Sequence, residues 1–78
     1  MGKIISLLDL KSGETGKVVE LRGGPMFQRK VRIIGIREGH PLRVVSIQPI
    51  GGPVTVEVSR TKVTIGRGMA QRIFVEVA

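Results

Sequence analysis

The sequence predicts a small, mainly β domain: an SH3-like barrel of about five antiparallel strands with one short α-helix. Short runs of alternating apolar and polar residues are separated by turns rich in the 11 glycines. Apolar residues make up 41% of the chain, mostly Val, Ile and Leu without Trp or Tyr, which favours half-buried strands. The length of 78 residues suits one domain without a deep cavity. We therefore expect residues 1–78 to form a single barrel, because closing the sheet removes exposed strand edges.

The first predicted strand covers Lys17 to Arg22, with Val19 and Leu21 on one face. It follows a turn at residues 11–16 and ends at the doublet Gly23-Gly24. The earlier apolar residues 4–8 are too few and too interrupted for a secretion signal. No window approaches the roughly 18 continuous apolar residues that a membrane-crossing helix requires. We expect no export signal and no membrane span.

A helix is predicted over about Pro25–Ile34, directly after the first long strand. Phe27, Val31 and Ile34 have the i, i+4, i+7 spacing of one helical face. Pro25 suits the first turn, where a missing N–H costs nothing. Gly35 suits the left-handed conformation that ends a helix, with the next residue folding back onto the last turn. Both ends of the helix are therefore defined by local residue chemistry.

The remaining predicted strands alternate in the same way and are His40–Gln48, Val54–Ser59, Thr61–Ile65 and Arg72–Val77. A change of phase between Val44 and Val45 predicts a β-bulge. Residues 66–71 form a loop or a single helical turn. An OB-fold also has five strands and a helix, but its helix normally follows the third strand. The position of the helix after the first long strand favours the SH3-like barrel.

Three segments, in this order and spacing, carry a resemblance to a known family: residues 10–19 (LKSGETGKVV), 29–39 (RKVRIIGIREG) and 70–75 (AQRIFV). They resemble the FeoA family of ferrous-iron transport accessory proteins. The resemblance extends from about Leu7 to the C-terminus. It departs from the family pattern at Val31, where the family usually has Leu.

The resemblance implies an SH3-like barrel, a cytoplasmic location and a regulatory role in bacterial or archaeal Fe(II) uptake. The implied partner is FeoB, a larger membrane transporter with its own GTP-binding domain. The implied role is non-enzymatic and needs no cofactor. For the contact with the transporter, we expect the outward residues of the helix and the adjoining loop: Met26, Arg29, Lys30, Arg32 and Arg37. Met26 is either a soft apolar anchor for the partner or an extension of the core stripe.

The residues that carry chemistry are few. Cysteine is absent, His40 is the single histidine, and the six carboxylates are scattered one at a time. A general acid/base couple or a nucleophilic triad needs such groups close together. Glu38 and His40 offer two metal ligands, whereas a tight transition-metal site normally has three or four. We expect no catalytic site, no dedicated metal site and no small-molecule substrate.

The charge of the chain supports an alternative function. The net charge is +7, from 13 Lys and Arg against 6 Asp and Glu, and a basic barrel can neutralise nucleic-acid phosphates. The candidate phosphate contacts are Arg60, Lys62, Arg67 and Arg72. Single-strand binders usually stack bases on exposed aromatic rings, and this chain has only Phe27 and Phe74. Alternation places Phe74 on the face opposite Ile73 and Val75.

Overall fold

The computed structural model describes residues 2–78, which form one six-stranded antiparallel sheet in the order β1-β6-β2-β3-β4-β5. The elements are β1 (Lys3–Ser6), a 3-10 helix (Leu7–Asp9), β2 (Thr15–Leu21), α1 (Pro25–Ile34), β3 (Pro41–Ile47), β4 (Val54–Val58), β5 (Thr61–Ile65), α2 (Arg67–Ala70) and β6 (Ile73–Val77). The predicted mainly β class, the helix over Pro25–Ile34 and the helical turn within residues 66–71 are confirmed.

The sheet has one strand more than the sequence predicts. β1 pairs antiparallel with β6, from Lys3 opposite Val77 to Ser6 opposite Phe74. Its four residues are exposed or half-buried, and buried and exposed positions do not alternate along it as they do in a typical half-buried strand. The pairing places β6, the last strand in the chain, between β1 and β2 in the sheet.

Two β-bulges change which residues face the interior. In β2 the register with β6 shifts between Val18 and Glu20, and the buried residues are Gly16, Val18 and Leu21. The prediction that Val19 shares the face of Leu21 is therefore wrong, because the bulge adds one residue to the alternation. In β3 the register with β4 shifts between Val44 and Ser46, which confirms the bulge predicted there.

The interior of the described part of the chain is entirely apolar. No polar or charged side chain is buried among residues 2–78. β4 contributes Val54, Val56 and Val58, all buried as the alternation predicts. α1 contributes the fully buried Val31, while Phe27 and Ile34 are half-buried against the same core. The core stripe predicted for the helix is confirmed.

The C-terminus of α1 has the hydrogen bonds of a Schellman motif. Gly35 has a φ of 109°, and its N–H donates to the Arg32 carbonyl at 3.0 Å. The N–H of Ile36 donates to the Val31 carbonyl at 3.1 Å, and the Ile36 side chain is fully buried. These bonds satisfy carbonyls that the helix end would otherwise leave unpaired. The burial of Val31 in the core leaves the opposite side of α1 facing solvent.

Candidate functional site

The solvent-facing side of α1 combines large apolar and cationic side chains. Successive helical residues are separated by about 100°, so Met26, Arg29 and Ile33 lie opposite the buried Val31. Met26 is 87% exposed and Ile33 is 76% exposed. Lys30 and Arg32 flank this line on either side of the helix. We call the surface made by Met26, Arg29, Lys30, Arg32 and Ile33 the α1 face.

The charge of the α1 face is positive and only partly compensated. The helix sequence contains three cations and no carboxylate. Arg32 Nη2 lies 4.0 Å from Glu38 Oε1, with both side chains about half exposed. Arg29 and Lys30 form no ion pair with any residue in the range 2–78. The uncompensated charge of Arg29 therefore lies between two exposed apolar side chains, and that of Lys30 lies to one side of them.

The structure distinguishes the two interpretations of Met26. Its exposure shows that Met26 does not extend the core, so that interpretation is wrong. Arg29, Lys30 and Arg32 are exposed on the same helix, as the sequence predicts. Arg37 is exposed but lies beyond the helix, in a turn where the His40 N–H donates to the Arg37 carbonyl at 3.2 Å. Four of the five predicted contact residues therefore share one element.

Ile33 belongs to the α1 face and is absent from the residues predicted from sequence. The sequence does indicate its position, because once Phe27, Val31 and Ile34 define the core stripe, the helical period places Ile33 on the opposite side. A large apolar residue at that position adds to the apolar surface that Met26 exposes on the same side of the helix. Ile33 and Met26 are seven residues apart, so they align along the helix about two turns from each other.

The weak metal-ligand candidates Glu38 and His40 are both exposed. The carboxylate of Glu38 points towards Arg32, and the main chain of His40 pairs with β2, its carbonyl accepting from the Val18 N–H at 2.9 Å. Within residues 2–78, no group of three His, Asp or Glu side chains is close enough to hold a metal ion. A metal ion bound by these two residues would need further ligands from another molecule.

The candidate phosphate contacts lie on several different elements. Arg60 and Lys62 lie at the start of β5 and Arg67 follows its end, so the five-residue strand separates them by roughly 13 Å. The Arg72 guanidinium lies 5.8 Å from the centre of the Phe27 ring. The four cations are therefore spread along the chain and not clustered on one element.

Both aromatic rings are covered by arginines. The Arg22 guanidinium lies 3.8 Å from the centre of the Phe74 ring, and Arg22 Nε donates to Glu20 Oε2 at 2.8 Å. Arg72 lies over Phe27, which is half-buried. A nucleic-acid base would have to displace Arg22 before it could stack on that side of Phe74, and Phe27 is half-buried. This arrangement disfavours single-stranded nucleic acid as the ligand.

The remaining surface contains no cleft suited to a small substrate. No pocket is found in the described part of the chain, and every buried side-chain N or O atom there has a hydrogen-bond partner. None of the helices within residues 2–78 is long and apolar enough to cross a membrane. The features that point to function therefore lie on convex surface.

Comparison with known proteins identifies relatives over nearly the whole chain. The FeoA domain family model matches residues 5–77. The putative Fe(2+) transport protein A of Methanocaldococcus jannaschii is 34% identical over 68 residues, which are 87% of this chain and 80% of that protein. A crystal structure of an iron uptake regulatory protein (FeoA) is 28% identical, with a TM-score of 0.88, and the match covers 96% of this chain and 100% of that one.

A manganese-dependent transcriptional repressor is also similar, with 26% identity and a TM-score of 0.89. The match covers 100% of this chain but only 44% of the repressor, so the same fold occurs there as part of a longer protein. The SH3-like barrel that the sequence predicts is the fold of the matched FeoA structures. The family model, the relative and the fold agree: this chain belongs to the FeoA family, whose role is accessory to ferrous-iron transport.

Proposed function

We propose that this protein is a non-enzymatic, cytoplasmic regulator of ferrous-iron uptake that acts by direct contact with an FeoB-type transporter. The α1 face is the contact surface, and the part of the transporter that it binds includes the cytosolic GTP-binding domain. The observation that carries the proposal is the alignment of Met26 and Ile33, both largely exposed, with the uncompensated Arg29 between them.

The apolar part of the α1 face supports a protein partner. Met26 and Ile33 expose apolar surface to water, whereas the opposite side of the same helix packs against the apolar core. Burying such side chains at an interface is favourable by about 1.5–3 kcal/mol each when burial is complete. A helix that presents apolar residues seven positions apart suits a groove on a partner protein. Methionine adapts its shape to such grooves because its side chain is unbranched.

The charges of the α1 face define the partner's complementary surface. Arg29 and Lys30 would meet carboxylates on the transporter, and those contacts would speed association and fix orientation. Arg32 already has Glu38 as a neighbour at 4.0 Å, so it contributes less uncompensated charge. The partner surface is therefore an apolar groove with an acidic border.

Charge reversal tests the contact. The double variant Arg29→Glu with Lys30→Glu changes two exposed residues that have no ion pair within residues 2–78, so the fold should persist. Its affinity for the transporter's cytosolic domain, measured by titration calorimetry, should fall at least about tenfold, because like charges would face each other. The matched control is Lys3→Glu with Arg60→Glu, which changes the net charge by the same amount at exposed sites on β1 and the β4–β5 turn. Equal affinity of the two double variants would contradict the proposal.

Removing the apolar contacts gives a second, independent test. Met26→Gln and Ile33→Gln replace exposed side chains with a residue of good helix propensity, so the melting temperature should stay the same or rise slightly. Affinity for the transporter domain should nevertheless fall. A loss of thermal stability with unchanged affinity would show that these two side chains serve the fold and not the partner.

A further inference from the structure

Ile50, in the loop between β3 and β4, is completely exposed, with a relative accessibility of 102%. Its φ of 58° is in the left-handed region. A β-branched residue is strongly disfavoured there, since its Cβ substituents crowd the backbone. Neither packing nor backbone geometry therefore accounts for isoleucine at this position. Strained residues of this kind occur preferentially where they serve binding or catalysis.

A hydrogen bond and two prolines restrict the backbone of the loop that carries Ile50. The Gln48 N–H donates to the Pro53 carbonyl at 3.2 Å and closes the loop at its base. Pro49 and Pro53 each fix their own φ, and Gly51, with a φ of 74°, completes the turn. A backbone restricted in this way loses less conformational freedom when the loop binds.

An arginine side chain lies beside the residue that follows Ile50. A Cβ placed on Gly51 would be 3.7 Å from the Arg67 Cδ, so the Arg67 side chain runs along the neighbouring residue of the loop. Arg67 is exposed and has no ion-pair partner among residues 2–78. A ligand for this tip therefore needs an apolar cavity of the size of one isoleucine and a carboxylate at its edge.

The Ile50 tip is separate from the α1 face. A Cβ on Gly35, at the end of α1, would lie 3.6 Å from Val58 Cγ2, so the C-terminus of the helix is near the end of β4. The Ile50 loop leads into Val54, the start of β4. The length of the five-residue strand, roughly 13 Å, therefore separates the two surfaces. A partner can contact each of them independently.

We propose that Ile50 is a second docking element, which inserts into an apolar pocket with an acidic edge on the same transporter domain. This inference rests on the function proposed above. A lipid surface is a poorer occupant, because even a myristoyl chain binds membranes only marginally and one isoleucine side chain is much smaller. A protein pocket can enclose the whole side chain, and Arg67 supplies the complementary charge.

Titration of the transporter's cytosolic domain with variants of the full chain tests the inference. Ile50→Thr removes the apolar tip and should weaken binding about tenfold or more. Ile50→Leu keeps the apolar volume and should bind as the wild type does. Ile4→Thr is the matched control, because Ile4 is also exposed, at 57%, but lies on β1. It should leave the affinity unchanged.

Thermal unfolding provides a readout that a structural role would not produce. Ile50→Asn places a residue that tolerates the left-handed region in the loop, so the melting temperature should rise by about 5 °C while affinity falls. Lower affinity together with higher stability supports a docking role for the strained residue. A lower melting temperature for Ile50→Asn would overturn it.

The outcomes separate this inference from the proposed function. If wild type binds and the Arg29→Glu, Lys30→Glu variant binds weakly, but Ile50→Thr binds normally, the docking role of Ile50 fails and the α1 face stands. If the wild type does not bind the domain, both fail. If wild type binds vesicles of phosphatidylcholine and phosphatidylserine and Ile50→Thr does not, the occupant is lipid and the inference is overturned.

Discussion

Gly16 of β2 lies so close to Val75 of β6 that a Cβ on Gly16 would be 2.8 Å from the Val75 Cβ. Both residues are buried, and the two strands are neighbours in the middle of the sheet. Leu10 Cδ1 would lie 3.5 Å from the same Cβ, so the position is crowded on two sides. A glycine here lets the two strands curve together around the core.

Gly16→Ala should destabilise the protein by about 1–3 kcal/mol, because the added methyl group overpacks a rigid contact between strands. Urea unfolding followed by circular dichroism measures the change. Gly68→Ala is the control, since a Cβ at Gly68 in α2 meets nothing within 4 Å. It should be neutral or stabilise slightly. Equal free energies of unfolding for the Gly16→Ala variant and wild type would contradict the packing described for β2 and β6.

Gly35→Ala should cost about 1–2 kcal/mol through backbone conformation alone, because alanine is disfavoured at a φ of 109°. Space is not the limitation, since the closest atom to an added Cβ, Val58 Cγ2, would be 3.6 Å away. Gly35→Asn should lose less, as asparagine tolerates the left-handed region better. Thermal melting of both variants should rank them in that order. The reverse order would argue against a conformational origin.

Arg60→Gly should stabilise the β4–β5 hairpin. Ser59 and Arg60 have φ values of 49° and 66°, between the paired residues Val58 and Thr61. A two-residue hairpin turn with both φ values positive favours glycine at the second position. The gain should be about 0.5–1 kcal/mol after allowing for the greater entropy of glycine in the unfolded chain. Lys62→Gly, one step into β5, should instead destabilise, and a gain there would contradict this explanation.

Binding of single-stranded RNA or DNA should be weak and lost steeply with rising salt. Arg22 and Arg72 cover the rings of Phe74 and Phe27, so only phosphate contacts remain available. Filter binding at low and moderate salt measures this. Binding of RNA or DNA at moderate salt that is lost when Phe74 is replaced would support nucleic acid as a ligand. The double variant Arg60→Glu with Lys62→Glu then tests whether the predicted phosphate contacts carry it.

Much of the fold was predictable because the deciding interactions are local in sequence. The ends of α1 depend on Pro25, Gly35 and Ile36, each within one turn of the helix end that it defines. The alternation of Val54, Val56 and Val58 predicts their buried face without reference to any partner strand. The positive residues on α1 were predictable for the same reason.

The structure differs from the sequence-based predictions where pairing between distant segments decides the fold. β1 exists because β6 pairs with it from the far end of the chain, and its own residues carry no alternation. Val19 lies off the face that its alternation with Leu21 predicts, because the bulge in β2 depends on the register with β6. The exposure of Ile50 and its backbone conformation depend on how the β3–β4 loop closes.

The amino-acid sequence by itself determined the helix, its two ends, most of the strands and the excess of positive charge, since these follow from neighbouring residues. Only the tertiary structure decided that Met26 faces solvent instead of extending the core, and that Ile50 projects alone near Arg67. The physical reason is that burial and register are properties of the packed chain. A residue's surroundings are set by segments many positions away, and those meet only when the sheet forms.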